Sequence, residues 1–469
     1  MLQKRDIEEV LSVLLETGGD FGELFFEDTR SAEMSMTDGK LEKVNTGRLF
    51  GVGLRAFLET KAVYAYTNDL SIDNLKATAR RIGKALKGPS KGYESVTLSE
   101  KHHQTKLPVL TPFEIMERQE KKRVMRLAHE GARTFAPAGS ALNDLIGQVE
   151  VKYLEKDQYV RIANTEGVFT EDRRRRTRLI TTVIATEYGQ KETGSSSPGS
   201  GAGFEFYNLI DPKEVGREAA RIALRMIRAD FSPAGVMPVV IDNGFGGVIF
   251  HEACGHSLEA TAVAKGASVF CGKVGQKIAA DCVSAVDDGT IPNAWGTCTV
   301  DDEGMPTQRN LLIENGVLKG YLIDHINARK MGMKPTGSGR RENYTFAPTS
   351  RMSNTFLLPG YSIPAEIIAN TEWGLYAKTM GGGSVQPTTG EFNFAVLEGY
   401  LIEKGRVSKP VRGATLIGKG HEVLEKIDMV GNNLARSQGM CGSISGMVPA
   451  DVGQPTIRVS ALLVGGRNQ

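Results

Sequence analysis

His251, Glu252 and His256 are the residues of this 469-residue chain whose types and spacing point most directly to chemistry. They lie in the segment GFGGVIFHEACGHSLEA, residues 244–260, and nearly match the H-E-x-x-H signature of zinc peptidases, with one additional residue between the histidines. The segment follows the apolar strand VMPVVI and is apolar on most sides, which predicts a buried helix. Because a buried charged carboxylate without a partner is costly, the pattern favours a metal site over a structural histidine.

The spacing of the two histidines requires a distortion of that helix. In a regular α-helix, positions five apart are offset by about 140°, so the two rings would point in different directions. A π-bulge would absorb the additional residue, and such bulges recur at functional sites. Gly255, next to His256, lowers the steric barrier to the distortion. We therefore predict a π-bulge, or an equivalent widening, at or beside Gly255.

A third metal ligand must come from another part of the sequence. A catalytic zinc usually has three protein ligands and keeps its fourth position for water. Glu259 is close to His256, but a helix that already carries two ligands rarely supplies a third to the same ion. His325, His421 and Cys441 are the other candidates. Cys441 is only slightly favoured over His325, because a glycine on either side of the Met-Cys pair allows an exposed, tightly turned thiolate.

The elements that must position these residues indicate an α+β fold. After a first helix, short alternating segments predict an antiparallel meander, and a second sheet-and-helix unit follows before residue 230. We expect one shared sheet with helices on one face in an N-terminal domain, residues 1–233. From about residue 234, frequent glycines and short strand patterns predict a β-rich, barrel-like C-terminal domain, residues 234–469, which carries the metal-binding helix.

Charge and cysteine content restrict the partners and the location. Lys and Arg total 57 against 55 for Asp and Glu, so a net charge of +2 gives no broad attraction to nucleic acid or to an anionic membrane. No apolar run approaches the roughly 18 residues of a membrane span. The N-terminal apolar pattern is interrupted by Asp6, Glu8 and Glu9, unlike a signal peptide. With five cysteines, an odd number, the chain is expected in a reducing cytoplasm.

Four unusual segments have simple structural explanations. The run TEDRRRRTRL, with Arg173 to Arg176 and Arg178, is interpreted as a solvated strand edge and not as a nucleic-acid surface, because no aromatic residues interleave with it. The Gly/Ser-rich segment KETGSSSPGSGAGF predicts a mobile loop. The clusters DNGFGG and MGGGS lack the Lys-Ser/Thr of a phosphate loop, so close backbone packing or approach to an extended peptide is the better interpretation.

The order of several motifs resembles a known family. HEACGH, RRENYTFAPTSRMSNTFLLPG, the long segment from GGGSVQPTTG to LIGKG, MVGNN, GMCG and VGQPT occur in the order typical of the TldD/PmbA family of metallopeptidases. This resemblance implies that His251, His256 and Cys441 bind Zn²⁺ and that Glu252 is the catalytic acid/base. PmbA-type relatives lack the zinc motif, whereas this chain keeps every ligand position. The resemblance also implies peptide or unfolded protein substrates and a dimer, either a homodimer or a heterodimer with a PmbA-like relative.

The leading hypothesis is therefore a zinc-dependent peptidase of low sequence preference, in which Glu252 assists attack by a zinc-bound water. Glycine-lined strands such as MGGGSVQ could bind an extended peptide through main-chain hydrogen bonds, although the substrate-binding residues stay unassigned. Two alternatives are open. One is a metal-dependent amidase of small substrates. The other is a non-catalytic, zinc-stabilised binding protein, which would have a closed site with four ligands.

Overall fold

The computed structural model describes residues 2–16, 18–88, 95–136, 139–386 and 389–467. The helices up to residue 230 are α1 (Lys4–Leu15), α2 (Ile72–Leu86), α3 (Arg118–Arg133), α4 (Ala141–Asp144), α5 (Phe206–Leu209) and α6 (Pro212–Met226). The strands of the same part are β1 (Phe21–Thr37), β2 (Lys40–Leu58), β3 (Lys61–Thr67), β4 (Ser99–Glu100), β5 (Ile146–Asn164), β6 (Val168–Glu187), β7 (Gln190–Ser196) and β8 (Gly199–Ser200).

These strands form one sheet, as the alternation of apolar and polar residues predicts. Its order is β3-β2-β1-β5-β6, and β4, β7 and β8 all pair with β6. The antiparallel pairing of β1 with β5 joins the two sheet-and-helix units. Successive side chains point to opposite faces of a strand. Leu24 accordingly lies in a core with α1 and α2 residues, whereas Phe25 packs with Val300 and Tyr344 of the C-terminal part.

The rest of the chain is mainly β structure. Its strands are β9 (Asp230–Phe231), β10 (Gly235–Ile241), β11 (Ala285–Asp288), β12 (Arg309–Glu314), β13 (Val317–Leu318), β14 (Gly339–Arg340), β15 (Thr349–Ser350), β16 (Asn354–Leu357), β17 (Trp373–Gln386), β18 (Glu391–Glu403), β19 (Arg406–Arg412), β20 (Thr415–Lys419), β21 (Ile427–Val430), β22 (Ala435–Ser443), β23 (Gly446–Gln454) and β24 (Ile457–Gly465). Its helices are α7 (Val248–Ala253), α8 (Ala260–Val263), α9 (His325–Met331), α10 (Pro364–Ala369) and α11 (Gly420–Glu425).

Five of these strands close into the expected barrel. The pairing runs β17-β10-β24-β20-β18, and an additional pairing of β17 with β18 completes the circle. A second sheet of six strands has the order β13-β12-β11-β16-β23-β22. Helix α7 contacts β17 and β18 of the barrel and β16 and β23 of the six-stranded sheet. The helix that carries the histidine motif therefore lies between the two sheets, which explains its apolar composition.

Several hairpins are set by two-residue turns that end in glycine. Both residues have positive φ in Asp38-Gly39, Tyr188-Gly189, Asn315-Gly316 and Lys404-Gly405. A turn with two positive φ angles matches the right-handed twist of the flanking strands, and glycine adopts it without steric cost. These local signals fix the register of the long strands.

The arginine-rich strand differs from the prediction of a solvated edge. Arg174 is 3% exposed, and it pairs with Asp172 at 2.9 Å and with Asp302. Arg176 is also buried and donates to the carbonyl oxygens of Trp295 and Thr297, each at 2.8 Å. Because alternate side chains of β6 face the C-terminal part of the chain, the arginines join the two parts. In this run, Arg173 is the residue whose side chain is half exposed.

Other expectations are changed or stay open. The Gly/Ser-rich segment does not form a loop throughout, because β7 and β8 occupy much of it and Gly194 packs against the backbone of α6. The division at residues 233/234 stays a prediction, and β9, just before it, already pairs with β19. Among the helices of the described ranges, none has the length and hydropathy needed to span a membrane.

Candidate metal centre

Helix α7 begins at a close contact between two backbones. A Cβ atom on Gly247 would lie 2.4 Å from backbone atoms of Gly453 in β23, so only glycine allows this approach. Val248, Ile249 and Phe250 then bury their side chains in the core between the two sheets. The glycines of the DNGFGG cluster thus allow close backbone packing, as the sequence predicts. This packing fixes the direction in which His251 and Glu252 leave the helix.

The predicted π-bulge is wrong. Helix α7 ends at Ala253, Cys254 has the non-helical angles φ −126° and ψ −49°, and a 3₁₀ turn follows at Gly255–Leu258. The chain therefore tightens after the break instead of widening. Gly255 is needed for another reason, because a Cβ atom there would lie 2.2 Å from the sulfur of Met352. The break still brings the histidine rings together, with centroids 5.1 Å apart and planes at 87°.

Cys441 reaches both histidines from β22. Its Sγ lies 3.1 Å from Nε2 of His251 and 3.3 Å from Nε2 of His256. A single atom from each of the three residues falls within 4.8 Å of the others. For bonds of about 2.1 Å to nitrogen and 2.3 Å to sulfur, tetrahedral zinc separates an N and an S ligand by about 3.5 Å. The donor atoms are therefore spaced closely enough to hold such an ion.

The other candidates for the third ligand lie in different environments. His325 packs against the rings of Phe21 and Phe57 and lies 3.5 Å from a carboxylate oxygen of Glu166. His421 is on α11, and neither residue belongs to the cluster that the described residues form. Glu259 does contact His256, but at Nδ1, with a separation of 3.2 Å. It therefore lies behind the imidazole and not on the side that faces Cys441.

Two carboxylates contact His256 from opposite sides. Oε2 of Glu252 lies 3.5 Å from Nε2, the nitrogen that faces Cys441, and the Glu252 side chain is 24% exposed. The Glu259 side chain is 6% exposed. A partly exposed carboxylate beside this nitrogen can exchange protons with water and substrate. A buried carboxylate on the other nitrogen can fix the tautomer and orientation of the ring.

The side chains of the cluster shift each other's pKa values towards a thiolate next to a protonated imidazole. Burial opposes a charge on His256, yet Glu259 and Cys441 raise its pKa well above the usual value. Burial also favours the neutral thiol of Cys441, but His251 and His256 hold its pKa well below the usual value. Metal ligation needs an unprotonated sulfur, and a divalent ion can replace the proton that the imidazoles share with it. By contrast, burial raises the pKa of Cys254, which fits a neutral packing residue.

One residue near this cluster was given no role from the sequence, although it lies in one of the motifs that carry the family resemblance. Arg351 is fully buried and contacts both Glu259 and the main chain of Cys441. It lies 95 residues after His256 and 90 before Cys441, within the segment SRMSN. A single arginine among small polar residues gives no pattern that would mark it as part of a metal site.

Family models match most of the chain. A model described as PmbA/TldA metallopeptidase domain 1 matches residues 22–86, the central domain matches residues 111–227, and the C-terminal domain matches residues 234–466. Together with the relatives described next, these matches show that the chain belongs to the PmbA/TldD family and is a metallopeptidase.

Two of the following three similar proteins match nearly the whole length of this chain. The metalloprotease TldD homolog of Haemophilus influenzae is 35% identical over 479 residues, covering 100% of this chain and 97% of that protein. A zinc metalloprotease TldD homolog of Saccharolobus solfataricus is 29% identical over 262 residues, which cover 55% of this chain and 58% of that protein. A crystal structure from Thermotoga maritima, described as a candidate modulator of a DNA gyrase, superposes with a TM-score of 0.80 at 24% identity, covering 98% of this chain and 100% of that one. This last similarity concerns the fold.

Proposed function

We propose that the chain is a zinc-dependent peptidase in which His251, His256 and Cys441 hold the metal and Glu252 is the acid/base. The observation that supports this most strongly is the convergence of the three donor atoms within 4.8 Å. The name of the Saccharolobus relative, a zinc metalloprotease, supports the choice of metal. Two imidazoles and one thiolate are a donor set that suits zinc.

The residues of the chain have separate tasks in this proposal. When bound, Zn²⁺ supplies a Lewis acid that polarises the scissile carbonyl group and lowers the pKa of water. Glu252 lies beside His256 Nε2 and is partly exposed, so its carboxylate takes a proton from the attacking water. The same carboxyl group then gives the proton to the leaving amine. Cys254 takes no part, since it is fully buried among apolar residues.

An extended substrate could bind beside Cys441. Strand β22 is the outermost strand of its sheet, and Met440, Gly442 and Ser443 at its end are exposed. Main-chain groups of such a strand can pair with an extended peptide and give affinity without strong sequence preference. The glycine run of β17 is a weaker candidate, because Gly383 is explained by packing: a Cβ there would lie 2.0 Å from the carbonyl oxygen of Asn393. Peptides and unfolded segments are therefore the proposed substrates.

The two alternatives make different predictions. A non-catalytic zinc-binding protein would have a closed site with four protein ligands, whereas the cluster among the described residues consists of three candidate ligands, the number typical of a catalytic site. A small-molecule amidase would lose activity as peptides lengthen. A ladder of peptides from two to about twelve residues distinguishes it from a peptidase.

The partners and the location are further parts of the proposal. We propose a dimer, formed with a second copy or with a PmbA-like relative, because the family resemblance implies one. Light scattering of the purified chain, alone and with such a relative, tests this. We expect no nucleic-acid partner, because Arg174 and Arg176 are buried in internal contacts, and no membrane partner, because the net charge is only +2. A cytoplasmic location stays a prediction from the five cysteines.

Metal analysis and chelation test the central proposal. Purified protein should contain about one zinc per chain, and removal of the metal should abolish peptide hydrolysis. Addition of Zn²⁺ should restore it. Full hydrolysis by metal-free protein would contradict the proposal.

A further inference from the structure

Arg351 anchors the hairpin that carries Cys441. Its side chain is completely buried, and its Nη2 donates to the carbonyl oxygen of Cys441. Its Nη1 donates to Oγ of Ser445 at 3.0 Å and to the carbonyl oxygen of Gly446 at 2.9 Å. One guanidinium group therefore contacts β22 at Cys441, the turn at Ser445 and the first residue of β23, Gly446.

The hairpin needs such an anchor because of its place in the fold. Strand β22 has β23 as its neighbour in the sheet and is otherwise the sheet edge. Ile444, in the turn between the two strands, is 70% exposed. Because the turn of this edge hairpin is exposed, its position depends on contacts with neighbouring elements. Trp295 Nε1 donates to the carbonyl oxygen of Gly439 at 2.8 Å, and the main-chain N–H of Glu342 donates to the carbonyl oxygen of Ser445 at 2.8 Å. Arg351 adds a side-chain hydrogen bond to the carbonyl oxygen of Cys441 itself.

The same arginine connects to the second histidine. Nε of Arg351 lies 3.7 Å from Oε1 of Glu259, and Oε2 of Glu259 lies 3.2 Å from Nδ1 of His256. Glu259 is thus placed between a ring that needs an acceptor and a buried cation that needs a counter-charge. The link between Arg351 Nε and Glu259 Oε1 is an ion pair and not a hydrogen bond, because neither atom has a hydrogen-bond partner among the described residues. Nδ1 of His251 also has no hydrogen-bond partner there, and no carboxylate is paired with it. The contacts form one path from His256 through Glu259 and Arg351 to Cys441.

We propose that Arg351, acting with Glu259, is a positioning residue that fixes His256 and Cys441 relative to each other and thereby sets the affinity for metal. The inference rests on the proposed function, in which these two residues are ligands. Arginine is required because its planar fork reaches several acceptors at once, whereas a lysine ammonium is a single point of charge. Groups that orient metal ligands typically change metal affinity by about 10–100-fold when they are removed.

Metal affinity of substituted full-length chains tests this role. Co²⁺ alone is the probe, and its dissociation constant is measured by competition with a chelator, together with its visible absorption. Arg351→Met is expected to weaken Co²⁺ binding by about 10–100-fold. Arg351→Lys and Glu259→Gln are expected to weaken it as well, since each breaks one link of the path. Arg340→Met is the matched control, because Arg340 is a buried arginine that donates to the carbonyl oxygen of Met352 at 2.6 Å.

The outcomes separate this inference from the proposed function. If the wild-type chain bound no Co²⁺, the proposed function and this inference would both be overturned. If the wild type bound Co²⁺ and Arg351→Lys and Glu259→Gln bound it equally well, this inference alone would be overturned. An equal loss in Arg340→Met would also overturn it, because the effect would then be general packing. Should Arg351→Met fail to fold, the Lys and Gln variants decide the question by the same criterion.

Discussion

Substitution of Cys441 and of Cys254 by serine tests which of the two cysteines is a metal ligand. The sulfur of Cys441 lies 3.1 Å from Nε2 of His251 and 3.3 Å from Nε2 of His256, and the histidines hold its pKa well below the usual value despite burial. Serine in its place would stay a neutral hydroxyl and lose the thiolate bond. Cys254 stands between the histidines in sequence, but it is fully buried and its pKa is raised by burial. Serine there should leave the site intact.

Cys441→Ser should change the affinity for zinc, whereas Cys254→Ser should change the free energy of unfolding. Apparent binding free energies for zinc in sites with four ligands are about 10–16 kcal/mol, or about 3 kcal/mol per ligand. A change of about 1.4 kcal/mol corresponds to a tenfold change in the dissociation constant. Cys441→Ser should therefore weaken zinc binding by at least about 100-fold. Cys254→Ser buries a hydroxyl in an apolar core, which costs about 1–3 kcal/mol of the free energy of unfolding if the hydroxyl finds no partner.

The assay measures both quantities on both variants. Competition with a chelator gives the zinc dissociation constant, and urea unfolding of the metal-free proteins gives stability. We expect Cys441→Ser to lose affinity with little change in metal-free stability, and Cys254→Ser to show the reverse. If Cys254→Ser lost zinc while Cys441→Ser retained it, the assignment of the third ligand would be refuted.

The remaining predictions concern proton transfer and buried charge. Glu252→Gln removes the proposed proton acceptor, so the rate of peptide hydrolysis should fall about 10²–10⁴-fold. Elemental analysis should show that this variant keeps its metal. Loss of the metal would contradict the proposal that Glu252 transfers protons and does not bind the metal. Arg174→Met should lower the free energy of unfolding, measured in urea, by about 3–5 kcal/mol, because it leaves two buried carboxylates without their cation. Arg173 is half exposed, so Arg173→Met should lower the same free energy by less than about 1 kcal/mol. Burial raises the pKa of Glu398, but Arg221 and Tyr400 together lower it to about 2, so the stabilisation is complete above about pH 4.3 and is lost as the pH falls towards 2. The difference in unfolding free energy between Arg221→Met and the wild type should therefore be present at pH 7 and shrink in acid; a difference independent of pH would contradict this assignment.

Local signals made much of the fold predictable. The alternation of apolar and polar residues in strands, and glycine turns such as Asp38-Gly39, depend on residues that are close in sequence. The antiparallel sheet and its helices could therefore be predicted. Closure of the barrel is different, because β10 pairs with β17 and β24, which begin more than 130 residues later. The composition indicated a barrel-like domain, but no local pattern specifies which strands close it.

The errors have the same physical origin. The arginine run carries no mark of burial, since Asp302, the partner of Arg174, lies 128 residues away. Likewise, the sequence favours Cys441 over His325 only slightly, until the fold places Cys441 at the histidines and His325 against Phe21. Without the family resemblance, the sequence would have left that choice almost open. The π-bulge was predicted because a continuous helix was assumed through residue 256.

The break at Cys254 explains what the additional residue of the motif contributes. In a 3₁₀ turn, with three residues per turn, side chains at i and i+3 lie on the same side. Gly255–Leu258 forms such a turn, and Glu259 follows it, so Glu259 lies directly against Nδ1 of His256. In a continuous α-helix the same two residues would be offset by about 60°. The interruption therefore supplies His256 with its own buried carboxylate, while Glu252, on the preceding helix, stays partly exposed on the other side of the ring.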